Sequence, residues 1–144
     1  MRGVKSVRIR PMAMSKPIQI IKYLWALPVT LFGLVLVLLA LLTGGRARVV
    51  QGVLEAHGGI ARFLLRRLSG AATTLGHVIL ARDQGSLDQS RAHERVHVRQ
   101  FERWGVFLLP VYWLIQGWLL CRGLDPYLDH PFEREAAERA NKGG

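Results

Sequence analysis

The sequence predicts an α+β fold, with an N-terminal transmembrane helix followed by one small domain of short strands and helices. Three observations lead there. Tyr23 to Leu42 (YLWALPVTLFGLVLVLLALL) is 20 residues without a charge, enough at about 1.5 Å per residue to cross about 30 Å of hydrocarbon. Behind it, β-branched apolar stretches alternate with helical periodicity in the order strand, helix, strand, helix. A chain of 144 residues leaves room for one small domain, not two.

Composition narrows the class. Half of the residues are hydrophobic, yet the formal net charge is +10. An apolar chain with a basic balance suits anionic headgroups, so membrane lipid is an expected partner. No basic stretch carries the interleaved aromatics that stack on bases, so nucleic acid is not. Cys121 is the single cysteine, which excludes an intrachain disulfide and a cysteine-based zinc cluster. Its place in an apolar run reads as a small buried hydrophobe.

The elements follow in order. Residues 1–22 form a basic tail with Arg2, Lys5, Arg8, Arg10, Lys16 and Lys22 and no acid. Residues 23–43 are the anchor, with Tyr23 and Trp25 where interfacial aromatics sit. The run exceeds the roughly 7–15 apolar residues of a signal peptide, so it is expected to be retained. The bias of cations puts the N-terminus in the cytoplasm and the remainder outside it. That asymmetry rests largely on the residues before Met14.

After Gly44-Gly45, RARVVQGVLEAHGG reads as a short strand ending in a glycine turn. Ile60 to Leu68 reads as a helix with Ile60, Phe63, Leu64 and Leu68 on one face, stopped by Ser69-Gly70. Thr73 to Arg82 (TTLGHVILAR) is a second strand. Ser86 and Gln89 have capping-box spacing and start the next helix. That helix carries HERVHVRQFERWG, residues 93 to 105.

In HERVH, His93 and His97 are four apart and project from one helical face, so both imidazoles can reach one metal ion. Glu94 lies a step round, placed to act on a water at the metal and not to ligate it. The residue types suit hydrolysis, in which zinc acidifies a water, the glutamate takes its proton and the hydroxide attacks a polarised carbonyl. The strand ahead of this helix offers a sheet edge where an extended substrate could pair.

A catalytic zinc needs a third protein ligand. DPYLDHPFEREAAERANK offers Asp129, His130, Glu133, Glu135 and Glu138. Asp129 suits an N-cap and Pro131 the first helical position. On that helix Glu133 shares a face with Ala136, Ala137 and Ala140, whereas Glu135 and Glu138 fall on the charged side with Arg139 and Lys142. A carboxylate alone on a small-residue face is well placed for a metal, so Glu133 is the expected third ligand. His130 is the alternative, or else a solvent-exposed loop histidine.

HERVHVRQ followed by FEREA resembles the HExxH zinc metallopeptidases of the gluzincin type, and is similar to small bacterial membrane proteins that pair HERVHVRQ with PFEREA. The resemblance covers residues 71–140. It implies a minimal zincin-like domain within 46–144, zinc held by His93, His97 and Glu133, and Glu94 as general base. Ala137 departs from it, because many members carry an acid four residues after the ligand glutamate.

Trp104 to Cys121 is a second charge-free run, of 18 residues. A single crossing there would put His93 and Glu133 on opposite sides of a membrane. The segment is therefore expected to be interfacial, re-entrant or core, with Pro110 and Gly117 as break points. The function expected is a membrane-anchored zinc metallopeptidase acting on a peptide or protein substrate. The alternatives are a non-enzymatic membrane protein that binds anionic lipid or a partner protein, and a zinc hydrolase of another amide or ester.

Overall fold

Both stretches expected to form single strands fold as hairpins. The computed structural model describes residues 16–143. In order these are α1 (Lys16–Leu42), β1 (Arg46–Val50), β2 (Val53–His57), α2 (Gly59–Arg67), β3 (Ala72–Leu75), β4 (Val78–Ala81) and α3 (Gln84–Trp104). A 3-10 turn at Gly105–Phe107 leads to α4 (Leu108–Cys121) and α5 (Pro131–Lys142). The first hairpin turns on Gln51 and Gly52, both at positive φ (49° and 77°), which a two-residue type I′ turn requires. The second opens on Gly76 (φ 62°), the position at which a type II′ turn takes glycine. Arg2, Lys5, Arg8 and Arg10 of the expected basic tail lie outside the described residues.

The sheet order is β1-β2-β4-β3. β2 and β4 run parallel, joined through α2 and β3, and the two outer pairs are antiparallel. Val78 to Ala81 are buried throughout, as a central strand covered on both faces must be. Val78 and Leu80 pack with Val37, Ala40, Ala56 and Ala61 under α1 and α2. Ile79 and Ala81 point the other way, onto Leu87 and Val98 of α3. The chain is thus three layers deep, with α1 as one of them.

The apolar helix α1 packs along one side on the sheet. Its buried residues are Ala26, Val29, Gly33, Val37 and Ala40, a narrow stripe of small side chains. A Cβ at Gly33 would stand 2.9 Å from the Cβ of Val78, so glycine lets the helix lie directly on the sheet. The remaining circumference stays exposed and apolar, including Leu24, Leu31, Phe32, Val35 and Leu38.

Sequence periodicity misplaced several details. In α2 the buried residues are Ala61 and Leu65, while Phe63 and Leu68 are exposed. The helix is short enough that the sheet chooses the face. α3 begins earlier than a Ser86 cap allows. Asp83 is the N-cap and its Oδ1 accepts from Ser86 N at 2.8 Å. Cys121 is exposed, not buried.

The second apolar segment breaks neither at Pro110 nor at Gly117. It breaks at Gly105, which adopts φ 58° and where a Cβ would run into the Trp25 indole. Pro110 sits in the first turn of α4, where no intrahelical donor is needed. The result is one helix of 14 residues and not a hairpin. It is about 21 Å long, too short to cross a bilayer alone. By length and composition two stretches among the described residues, Lys16–Leu42 and, counted across the turn at Gly105, Gln84–Cys121, are long and apolar enough to cross a membrane.

Candidate metal centre

α3 is held on the sheet by charge as well as by apolar packing. Glu55 of β2 is fully buried. Its carboxylate accepts from Arg91 Nε at 2.9 Å and from Arg95 Nη2 at 3.2 Å. Burial pushes the Glu55 carboxyl up, but Arg91 and Arg95 outweigh it and leave it below its ordinary value. Arg95 also donates to Val50 O at 2.7 Å. These arginines are four apart and fix the rotation of α3 about its axis. The other faces of α3 are then free to carry His93, His97 and Gln100.

The structure brings His93, His97 and Glu133 together. His93 Nε2 lies 3.0 Å from Glu133 Oε2, His97 Nε2 lies 3.3 Å from the same oxygen, and the two nitrogens are 3.1 Å apart. Ligand atoms round a tetrahedral zinc at about 2.0–2.1 Å stand about 3.3 Å from one another. The triangle therefore matches the base of such a coordination sphere, and this group could hold a metal ion. Burial pushes the Glu133 carboxyl up, but the bonds from His93, His97 and Tyr112 prevail and hold it well below the carboxylate range.

Glu94 stays out of the triangle but lines the same cavity, of about 840 Å³. It is buried, and its Oε2 accepts from the Thr74 hydroxyl at 2.6 Å. Burial raises its carboxyl above the ordinary value, partly offset by His97 and the Thr74 bond. Thr74 belongs to β3, whose outer edge has no neighbouring strand in the sheet order. The edge strand and the glutamate thus border one opening.

Three supporting residues escaped sequence reasoning. Gln100 is buried, and its Oε1 accepts from His97 Nδ1 at 2.8 Å. That bond puts a proton on Nδ1 and leaves Nε2 as the nitrogen that faces Glu133. Gln100 Nε2 in turn donates to Phe132 O at 3.0 Å and to Glu135 Oε2 at 2.9 Å. The i+3 spacing from His97 was a usable signal for Gln100. Tyr112 donates to Glu133 Oε1 at 2.7 Å, so the second carboxylate oxygen is occupied and Oε2 alone faces the histidines. A phenol in an apolar run was its only mark. Nothing in the sequence pointed to Thr74.

The other candidates have different partners. His130 is neither a ligand nor a solvent-exposed loop histidine. It is fully buried, it caps α5 in place of Asp129 by accepting from Phe132 N at 3.3 Å, and its other nitrogen bonds Tyr112 O at 3.0 Å. Asp129 Oδ2 accepts from Asp125 N at 2.9 Å, closing the turn before the helix. Glu135 is not an ordinary solvated charge, since it holds Gln100 and pairs with Arg139 at 2.9 Å. Glu138 is exposed, and so is Ala137, while Ala136 is buried on the face that carries Glu133. Compared with protein-family models, with curated proteins and with solved structures, the chain matches none of them.

Proposed function

We propose that the protein is a membrane-anchored zinc metallopeptidase with a minimal zincin-like domain. The observation that carries this reading is the triangle of His93 Nε2, His97 Nε2 and Glu133 Oε2, with Glu94 in the same cavity. Two neutral nitrogens and one carboxylate oxygen are a donor set that suits zinc, and three protein ligands leave a position open. Zinc bound there would supply Lewis acidity, making a water acidic and a carbonyl electrophilic at neutral pH. The protein's own groups do the rest. Glu94 accepts the water's proton and returns it to the leaving amine. Gln100 keeps His97 in the tautomer that can donate its Nε2 lone pair, and Tyr112 confines Glu133 to one oxygen. The edge of β3 supplies main-chain donors and acceptors for an extended peptide substrate.

α1 holds this domain at the membrane, with the N-terminal cations towards the cytoplasmic leaflet. The test is metal analysis and peptide hydrolysis on the purified full chain. One zinc per chain and cleavage are expected from the natural sequence. Glu94→Gln should keep the zinc and lose about 10²–10⁴-fold in rate, because an amide cannot accept the proton. A folded Glu94→Gln protein without metal would overturn the role given to Glu94. A natural protein that binds no zinc would overturn the reading as a whole.

A further inference from the structure

The domain lies alongside α1 and not beyond its end. Lys22 Nζ reaches Glu102 Oε2 at 3.4 Å near the start of α1. His77 N donates to Thr30 Oγ1 at 3.1 Å further along, and Ile60 N donates to Thr43 Oγ1 at 2.7 Å just past its end. α3 runs antiparallel to it, since Glu102 is abreast of Lys22 while β4, which leads into α3, ends near Gly58. Counting back from Glu102, His97 and His93 stand about 8 and 14 Å along α3. The metal triangle is therefore level with α1 at roughly residues 27–31, inside the charge-free run.

The cavity at that level is a groove with two unlike ends. His93 and His97 lie mid-groove on α3. One helical turn further on, Phe101 joins Leu109 and Trp113 of α4 to make an apolar end. In the opposite direction the lining is Ser69, Gln89 and Ser90, with Leu68 at its margin, a side chain 77% exposed. Trp113 is 63% exposed and belongs at once to the groove and to the outer face of α4, where Leu114 and Trp118 are also exposed. The apolar end thus opens onto the apolar surface of the molecule.

Resting on the metallopeptidase reading, we propose that this groove takes an extended peptide asymmetrically. Large apolar side chains occupy the Phe101–Leu109–Trp113 end and small or polar ones the Ser90 end. Its substrates are then apolar segments of polypeptides lying at or in the bilayer. The physical reason is that a hydrophobic side chain gains by leaving water where the wall is apolar, and the wall of several large apolar side chains, Phe101, Leu109 and Trp113, stands on one side of the triangle, against the solvent-exposed Leu68 on the other.

The experiment uses the zinc-loaded full-length Glu94→Gln protein in phospholipid nanodiscs. Two labelled peptides of equal length and charge are compared, one carrying Leu-Phe-Leu in one half, the other Ser-Asn-Ser. Binding is taken as the part displaced by unlabelled peptide and absent from protein-free nanodiscs. The apolar peptide should bind about tenfold tighter or more. Adding Leu109→Asn and Trp113→Ala should abolish that preference while zinc content stays the same. Equal binding of the two peptides, or a preference that survives the double substitution, overturns the proposal. Cleavage of both peptides alike by the natural sequence would overturn it while leaving the peptidase standing. Preferential binding without any cleavage by the natural sequence would support the groove and sink the peptidase.

Discussion

His97 has two ring nitrogens, and the site uses them differently. One faces His93 and Glu133, while the other donates to Gln100. Gln100 is itself held by Glu135 and the Phe132 carbonyl. This chain predicts a graded series of metal affinities. Glu133→Ala should empty the site, since two imidazoles lack the charge and geometry to retain a divalent ion. Gln100→Leu should weaken binding about 10–100-fold by freeing the His97 ring and tautomer. Glu135→Ala should cost less than Gln100→Leu, because Phe132 O still anchors the amide. Chelator competition on the three variants reads the order directly. Equal losses at Gln100 and Glu133 would mean that Gln100 matters for folding and not for positioning. No loss at Gln100 would remove it from the site.

Between elements, the strongest polar link is the one that seats α3 on the sheet. Glu55 offers one carboxylate to Arg91 and Arg95, and Arg48 stands 3.6 Å away. Removing the shared carboxylate leaves two arginines without their main partner, though both are partly in solvent and Arg91 keeps Asp88, so Glu55→Gln should destabilise the fold by about 1–3 kcal/mol. The folded carboxyl lies below its ordinary value. Its contribution is then fully present above the unfolded pKa and lost as pH falls through the folded one. Denaturant titrations of the natural chain should show stability falling below about pH 4. Glu55→Gln should flatten that part of the profile. An unchanged slope would place the acid sensitivity elsewhere. The same clamp sets the rotation of α3, and with it the direction in which His93 and His97 point.

At the scale of the whole molecule, α1 is both the most apolar element and a layer of the fold. Its stripe of Ala26, Val29, Gly33, Val37 and Ala40 closes one face of the sheet, while its other sides are exposed. A helix that only anchors could be cut away without loss. Here a chain beginning at Gly44 should fail to fold, because Val78, Leu80 and Ala56 would face water. Their burial against α1 is worth about 1.5–3 kcal/mol for each large side chain, a substantial part of the stability of so small a domain. The check is the thermal melt and size-exclusion profile of the truncated chain. A monomeric, cooperatively melting fragment would show that α1 is dispensable.

What could be read along the chain was local. The i, i+4 pair His93 and His97, the adjacent Glu94, Pro131 at a helix start and the long apolar run all depend on helical geometry and transfer free energy. Those need nothing beyond near neighbours in sequence. Glu133 was singled out because one carboxylate stood on a face of small residues, again a local fact. The rest depended on what packed against what. Gln51-Gly52 and Gly76-His77 are weak turn signals until a partner strand makes them hairpins. His130 could be a ligand or a cap by spacing alone, and became a cap because Phe132 N and Tyr112 O surround it. Glu135 looks solvated on a helical wheel and is engaged because Gln100 arrives from 35 residues away. The apolar run announced a membrane helix, and periodicity could not say that the sheet would claim one side of it. Hydrophobicity is blind to whether lipid or protein covers a side chain. Only the close approach that Gly33 permits against Val78 separates the two.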